Sequence, residues 1–199
     1  VTESSPIRLK NGLPAKSLVL RSIDPLDPTL RASIAGGKIW AIIQFKELHS
    51  TRQQAELGRQ GIELYDYIPE NSFLAGIRGS FSASDLSAKG IQALVPMNRS
   101  LKSGIYGLDA NNRRDVSAAP SRNYHLKLIP GADSTEGRNL LENSISTFGA
   151  DAQVIKFLTP DLAECRLNGR VLNHLLDQTF LLYVMEAPAL GILNSEATD

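Results

Sequence analysis

The chain has 199 residues, 42% hydrophobic and 21% charged, the composition of an ordinary globular protein with room for one large or two small domains. Its 21 basic and 21 acidic residues cancel, which excludes a basic nucleic-acid footprint, and no apolar run of about 18 residues is present to span a membrane. The single cysteine, Cys165, excludes an intrachain disulfide and any Cys/His zinc spacing, and in a strand pattern it reads as a small core residue.

Residues 1–37 read as an extended N-terminal arm lying on a domain. Pro6, Pro14, Pro25 and Pro28 each bias the preceding residue away from helix. Residues 17–21 suit a short strand, and Gly36-Gly37 suits a hinge. A first unit follows over 38–97. Ile39 to Phe45 is a strand by its β-branched and aromatic content. Ser50 and Gln53 fit a capping box, so a helix starts near Thr51 and stops at Gly61. Ile62 to Ile68 alternates as a strand, Pro69 to Ser72 is a turn, and Phe73 to Arg78 returns. Ser82 or Ser84 caps a short helix closed by Gly90, and Ile91 to Met97 is the last strand.

Residues 98–121 form a linker in which Arg113-Arg114, beside Asp109 and Asp115, reads as solvated charge. A second unit, 122–190, repeats the order. Its strand Tyr124 to Ile129 precedes a helix capped by the pair Asp133 and Glu136, with Leu141, Ile145 and Phe148 on one face and Gly149 at its end. Strands at 153–158 and 163–167, a helix over 170–178 and a closing strand at 181–186 complete it. The second halves of the units align at an offset of 90, as Ile77 with Leu167 and Leu94 with Val184 show. A period this long indicates two copies of one small domain and not a solenoid of 20–50-residue repeats. The β-α-β-β-α-β order predicts an α+β protein with two tandem ferredoxin-like domains, each a four-stranded antiparallel sheet with two helices on one face. The other face of each sheet is left open. Residues 191–199 form a C-terminal tail.

Catalytic signatures are missing from the sequence. His49, His125 and His174 have no second ligand at metal spacing, and no Gly-x-Ser-x-Gly elbow, Gly-x-Gly-x-x-Gly or P-loop occurs. Gly76-Ile77-Arg78-Gly79-Ser80 sits at the end of a hairpin strand, the wrong place for a phosphate loop. The expectation is a non-enzymatic chain with no catalytic residue, cofactor or metal.

The open faces carry the binding expectation. If Ile39, Ala41, Ile43 and Phe45 face the helices, period two sends Trp40, Ile42 and Gln44 to the open face, with Tyr65, Tyr67, Leu74 and Leu94. Aromatic and aliphatic residues on a helix-free face mark a contact surface. Its cover is either the rest of this chain or an outside partner. In the second unit the same logic exposes His125, Lys127, Glu164, Arg166, Leu182 and Val184, a more polar set. Leu190 and Leu193 in the tail complete the candidate contact residues.

The stretch Ile42-Ile43-Gln44-Phe45, a helix, then Gly61-Ile62-Glu63-Leu64-Tyr65-Asp66-Tyr67-Ile68-Pro69-Glu70-Asn71-Ser72-Phe73-Leu74 resembles the inhibitor-type prodomain of secreted bacterial subtilisin-like serine proteases. The resemblance covers about residues 38–97 well and residues 122–190 in element order. It implies a ferredoxin-like propeptide that packs its open face on the protease catalytic domain of the same polypeptide, assists its folding and blocks its cleft. It also implies a secreted or cell-envelope location. The start at Val1 agrees with a removed signal peptide, and a protease domain would follow Asp199. The alternative is a tandem binding or scaffolding module of an extracellular protein without an inhibitory role.

Overall fold

A computed structural model describes residues 22–104, 121–130 and 135–188, together with the backbone of two short paired strands, Ile7–Arg8 (β1) and Pro14–Ala15 (β2). The described part of the arm docks on unit one. Ile23 bridges Phe81, a 3-10 turn at Pro28–Ser33 follows, and Ile34–Ala35 (β3) pairs with Lys38–Phe45 (β4). Gly36 and Gly37 have φ of 57° and 68°. They make the tight turn of a β-hairpin, a conformation that glycine adopts without steric cost. The pair is therefore a turn within unit one and not the hinge that composition suggested. The expected strand at 17–21 lies outside the described residues.

Unit one continues with Thr51–Arg59 (α1), Ile62–Ile68 (β5), Ser72–Ile77 (β6), Ala83–Ala88 (α2) and Ile91–Pro96 (β7). Capping boxes start both helices, Ser50 with Gln53 and Ser82 with Asp85. The five strands form one antiparallel sheet in which β4 is central. β6 lies on one side of β4 with β5 beyond it, and β3 and β7 share the other side. The short helix Arg99–Gly104 (α3) follows β7.

Unit two holds Arg122–Leu128 (β8), Glu136–Ser146 (α4), Ala152–Thr159 (β9), Leu162–Leu167 (β10), Gly169–Leu176 (α5) and Leu181–Glu186 (β11). Its antiparallel sheet has the order β11-β8-β10-β9, the order that β7-β4-β6-β5 has in unit one. The molecule is thus α+β, with two antiparallel sheets of five and four strands. The offset of 90 holds from the second strand onward, since Leu64 pairs Ala75 where Val154 pairs Cys165, while the first strands β4 and β8 correspond at an offset of 83. The predicted cap of α4 is corrected. Thr135 occupies the N-cap position in a helical conformation and makes no side-chain cap bond, and Asp133 lies outside the described residues.

Two apolar clusters result. One lies under α1 and α2, where Leu57 and Leu86 meet Ile39, Ala41, Ile43, Phe45 and the arm residues Ile23 and Leu30. The other is continuous from the opposite face of unit one into the core of unit two, which α4 and α5 cover with Leu141, Ile145, Val171 and Leu175. Cys165 is buried there, and burial pushes its thiol up to about 12. It is a core residue with no thiolate character near neutral pH.

Candidate functional site

The face of unit one away from its helices is covered within the chain. Trp40 is only 2% exposed, and Ile42, Leu74, Val95 and Met97 join it in the cluster that runs into unit two. Trp40 donates its indole N–H to Ala35 O at 3.1 Å, and Ser33 Oγ donates to Met97 O at 2.7 Å, which ties the arm to this face. Tyr65 packs on Trp40 at a centroid distance of 5.0 Å. Lys38 Nζ lies 5.7 Å from the Trp40 ring centre and 5.3 Å from that of Tyr65, and donates to Glu63 at 2.7 Å and Tyr65 Oη at 2.6 Å. Burial opposes the Lys38 ammonium, yet the bonds to Glu63 and Tyr65 outweigh it and its pKa is raised. The Lys38 hydrogen bond holds the Glu63 carboxyl below its ordinary range. Gly76 is required beneath this group. A Cβ there would stand 2.9 Å from Lys38 Cδ and 3.3 Å from both aromatic rings.

Polar contacts lock unit two against this face. Tyr183 Oη donates to Asp66 at 3.1 Å, and Lys127 Nζ lies 3.5 Å from Asp66 and 2.9 Å from Asp161. From α3, Arg99 binds Asn173 and Asp177, and Lys102 Nζ donates to Gln178 O at 2.6 Å. Lys102 is 3% exposed, and burial pushes its pKa down to about 8.

The corresponding face of unit two is covered at one end, where Tyr183 and Lys127 meet Asp66 of unit one, and open at the other among the described residues. It forms a concavity of 710 Å³ lined by Arg122, Asn123, His125, Lys156, Leu158, Glu164, Arg166 and Glu186. Glu164 accepts from Asn123 at 3.4 Å and lies 3.3 Å from Lys156 Nζ and 3.9 Å from His125 Nε2. Arg122 pairs with Glu186 at 3.0 Å. Arg166 is exposed and has no ion-pair partner among the described residues.

The candidate contact residues divide accordingly. Trp40, Ile42, Tyr65 and Leu74 come together on the covered face of unit one. Tyr67 and Leu94 fall on the other side. Tyr67 stacks edge-on against Phe73 at 5.3 Å, and Leu94 joins the cluster under α1 and α2. Leu182 and Val184 are buried in unit two, with Val184 opposite Leu126, so neither is on the open face. β-bulges explain all four corrections. Register shifts at Leu64/Tyr67, Gln44/Phe45 and Leu181/Tyr183 each reverse the phase of the alternation beyond them. Tyr183 and Met185, opposite Lys127 and His125, replace Leu182 and Val184 on the open side. Leu190 and Leu193 lie outside the described residues. Lys156 and Leu158 went unrecognised, although the offset of 90 from unit one marks Lys156 as the counterpart of Asp66.

The other polar groups serve structure. The His49 ring lies 3.2 Å from Glu47 O and 3.1 Å from Lys89 O, bridging two loops. Ser144 Oγ and Gln178 Nε2 both lie 3.2 Å from His174 Nε2 on the outer surface of α4 and α5, so two groups share one ring nitrogen. Among the described residues no group of three His, Cys, Asp or Glu is placed to hold a metal, and no helix is long and apolar enough to cross a membrane. No curated protein and no solved structure matches the chain. Residues 15–98, from the arm to just past β7, match the family described as Domain of unknown function (DUF8729).

Proposed function

We propose that the two units are ferredoxin-like domains and that the chain is the non-catalytic N-terminal pro-region of a subtilisin-like serine protease, acting as intramolecular chaperone or inhibitor outside the cytoplasm. Unit two is the docking unit. The observation that carries this assignment is the contrast in cover, since Trp40, Ile42 and Leu74 are buried against the rest of the chain while no described residue fills the concavity beside Glu164. Strand order supports the domain type, because both sheets place the first and third strands of the unit in the centre. The chain leaves β11 beside the concavity, where Ala187 and Pro188 line its rim, so a following segment starts next to a partner seated there. Extended segments bind clefts through main-chain hydrogen bonds and need no distinctive sequence.

Inhibition of a subtilisin-like catalytic domain by this chain tests the reading. Binding at micromolar concentration that is lost on His125→Trp, a bulky change on the open face, is the expected outcome. Full protease activity at that concentration would sink the inhibitory role. The second reading, a tandem binding or scaffolding module, is favoured by the internal cover of unit one, which makes a two-unit body whose only free sheet face among the described residues is polar. It predicts protein binding by the same face with no effect on proteases.

A further inference from the structure

We propose that the open face of unit two selects a protein partner that presents carboxylates to Lys156 and Arg166, beside an apolar contact at Ile155 and Leu158. The inference rests on the reading of this face as a docking surface, and it does not require the partner to be a protease.

The interface inside the chain supplies the template. In unit one, β5 carries a bulge at Tyr65 and Asp66 opposite Leu74, and Asp66 receives Tyr183 and Lys127 from unit two. In unit two, β9 carries a bulge at the equivalent place, with Ile155 extra between Val154, paired to Cys165, and Lys156, paired to Glu164. Bulges at sheet edges re-aim side chains toward binding sites. Lys156 therefore stands where Asp66 stands, with the opposite charge. Arg166 stands where Gly76 stands, adding a second cation to a position that is bare in unit one.

Charge complementarity decides the occupant. The acid of unit one meets a lysine and a tyrosine hydroxyl, so the base at the same geometric position meets an acid. Glu164 answers Lys156 within the chain, but Arg166 is left without an ion-pair partner among the described residues. A carboxylate over Arg166 gains a charge-assisted, bidentate bond. Ile155 at 43% exposure and Leu158 at 41% are the two extra residues of the β9 bulges; Leu158 lines the concavity and Ile155 adds exposed apolar area next to Lys156. The partner is thus acidic with apolar residues between its carboxylates.

A short synthetic peptide alternating leucine and glutamate is the probe, titrated into the full chain and followed by backbone amide NMR. Saturable shifts at His125, Lys156 and Arg166 are expected. They should weaken about tenfold for the leucine–glutamine peptide and for the Lys156→Glu/Arg166→Glu double variant, with Arg52→Glu on α1 unaffected. Both substituted side chains are exposed, so the double variant folds. Equal responses to the glutamate, glutamine and lysine versions, or no saturable response, would overturn the proposal. So would a dimer, seen by sedimentation, that the double variant abolishes, because the occupant would then be a second copy. Protease inhibition with no preference for acid defeats only this inference. Acid selectivity without protease binding defeats only the pro-region reading.

Discussion

The helix-free faces of the two units are built on the same register and have opposite chemistry. Trp40, Ile42, Leu74, Gly76 and Asp66 of unit one correspond to Asn123, His125, Glu164, Arg166 and Lys156 of unit two. The first set is apolar at its centre and buried, and the second is polar and lines a concavity that no described residue fills. Burying an unpaired polar group costs free energy, whereas leaving a large apolar patch in water forfeits the gain of covering it. One face of the duplicated fold thus serves internal cohesion, and under the function proposed above the other serves outside contact.

The strongest way to break this contrast is Trp40→Ala. Truncating a buried aromatic should cost about 3–5 kcal/mol in urea unfolding, and a cost below about 1 kcal/mol would mean that the face is not covered. Lys102 offers the next largest effect. Its pKa in the folded chain is depressed to about 8 from 10.5, so the buried ammonium destabilises the fold at pH 7. The penalty is relieved as pH rises from 8 toward 10.5, where the folded state binds fewer protons than the unfolded chain. Lys102→Met should then raise stability by up to about 3 kcal/mol at pH 7, with the gain shrinking toward pH 10.5. A pH-independent gain would show that charge burial is not its cause.

Gly76→Ala should cost about 1–3 kcal/mol by crowding Lys38, Trp40 and Tyr65, while Arg166→Ala at the equivalent position should stay within about 0.5 kcal/mol. Equal effects would erase the distinction between the faces. The smallest effect is expected at the paired bulges. Asp66→Asn weakens the contacts to Lys127 and Tyr183 and should cost about 1 kcal/mol, and Lys156→Gln, at an exposed ion pair, should be near neutral by thermal denaturation.

Much of the fold was legible because its signals are local. Ser50 with Gln53 starts α1, Gly61 and Gly90 follow the helices that they are expected to end, β5 falls on the residues that alternate, and β11 spans the expected closing strand. The faces beyond the bulges were not legible. A single extra residue at 65–66, 92 or 182 leaves the composition of a strand unchanged and inverts every side chain after it, which is how Tyr67, Leu94, Leu182 and Val184 were assigned to the wrong side. Thr135 at the start of α4 shows another limit. The capping pattern at Asp133 and Glu136 was present in the sequence, yet the helix begins behind a residue that makes no cap bond.

The sequence by itself determined the β-α-β-β-α-β order of each unit, the duplication and the aromatic character of Trp40 and Tyr65, but neither β3 nor α3, because propensity, capping and periodicity act between residues close along the chain. Only the tertiary structure decided that unit two, α3 and the arm cover the aromatic face, that Asp66 meets Tyr183 across 117 positions, and that Lys156 and Arg166 are left facing outward. Those outcomes depend on which distant surfaces exclude water together, a property of the packed pair and of no single segment.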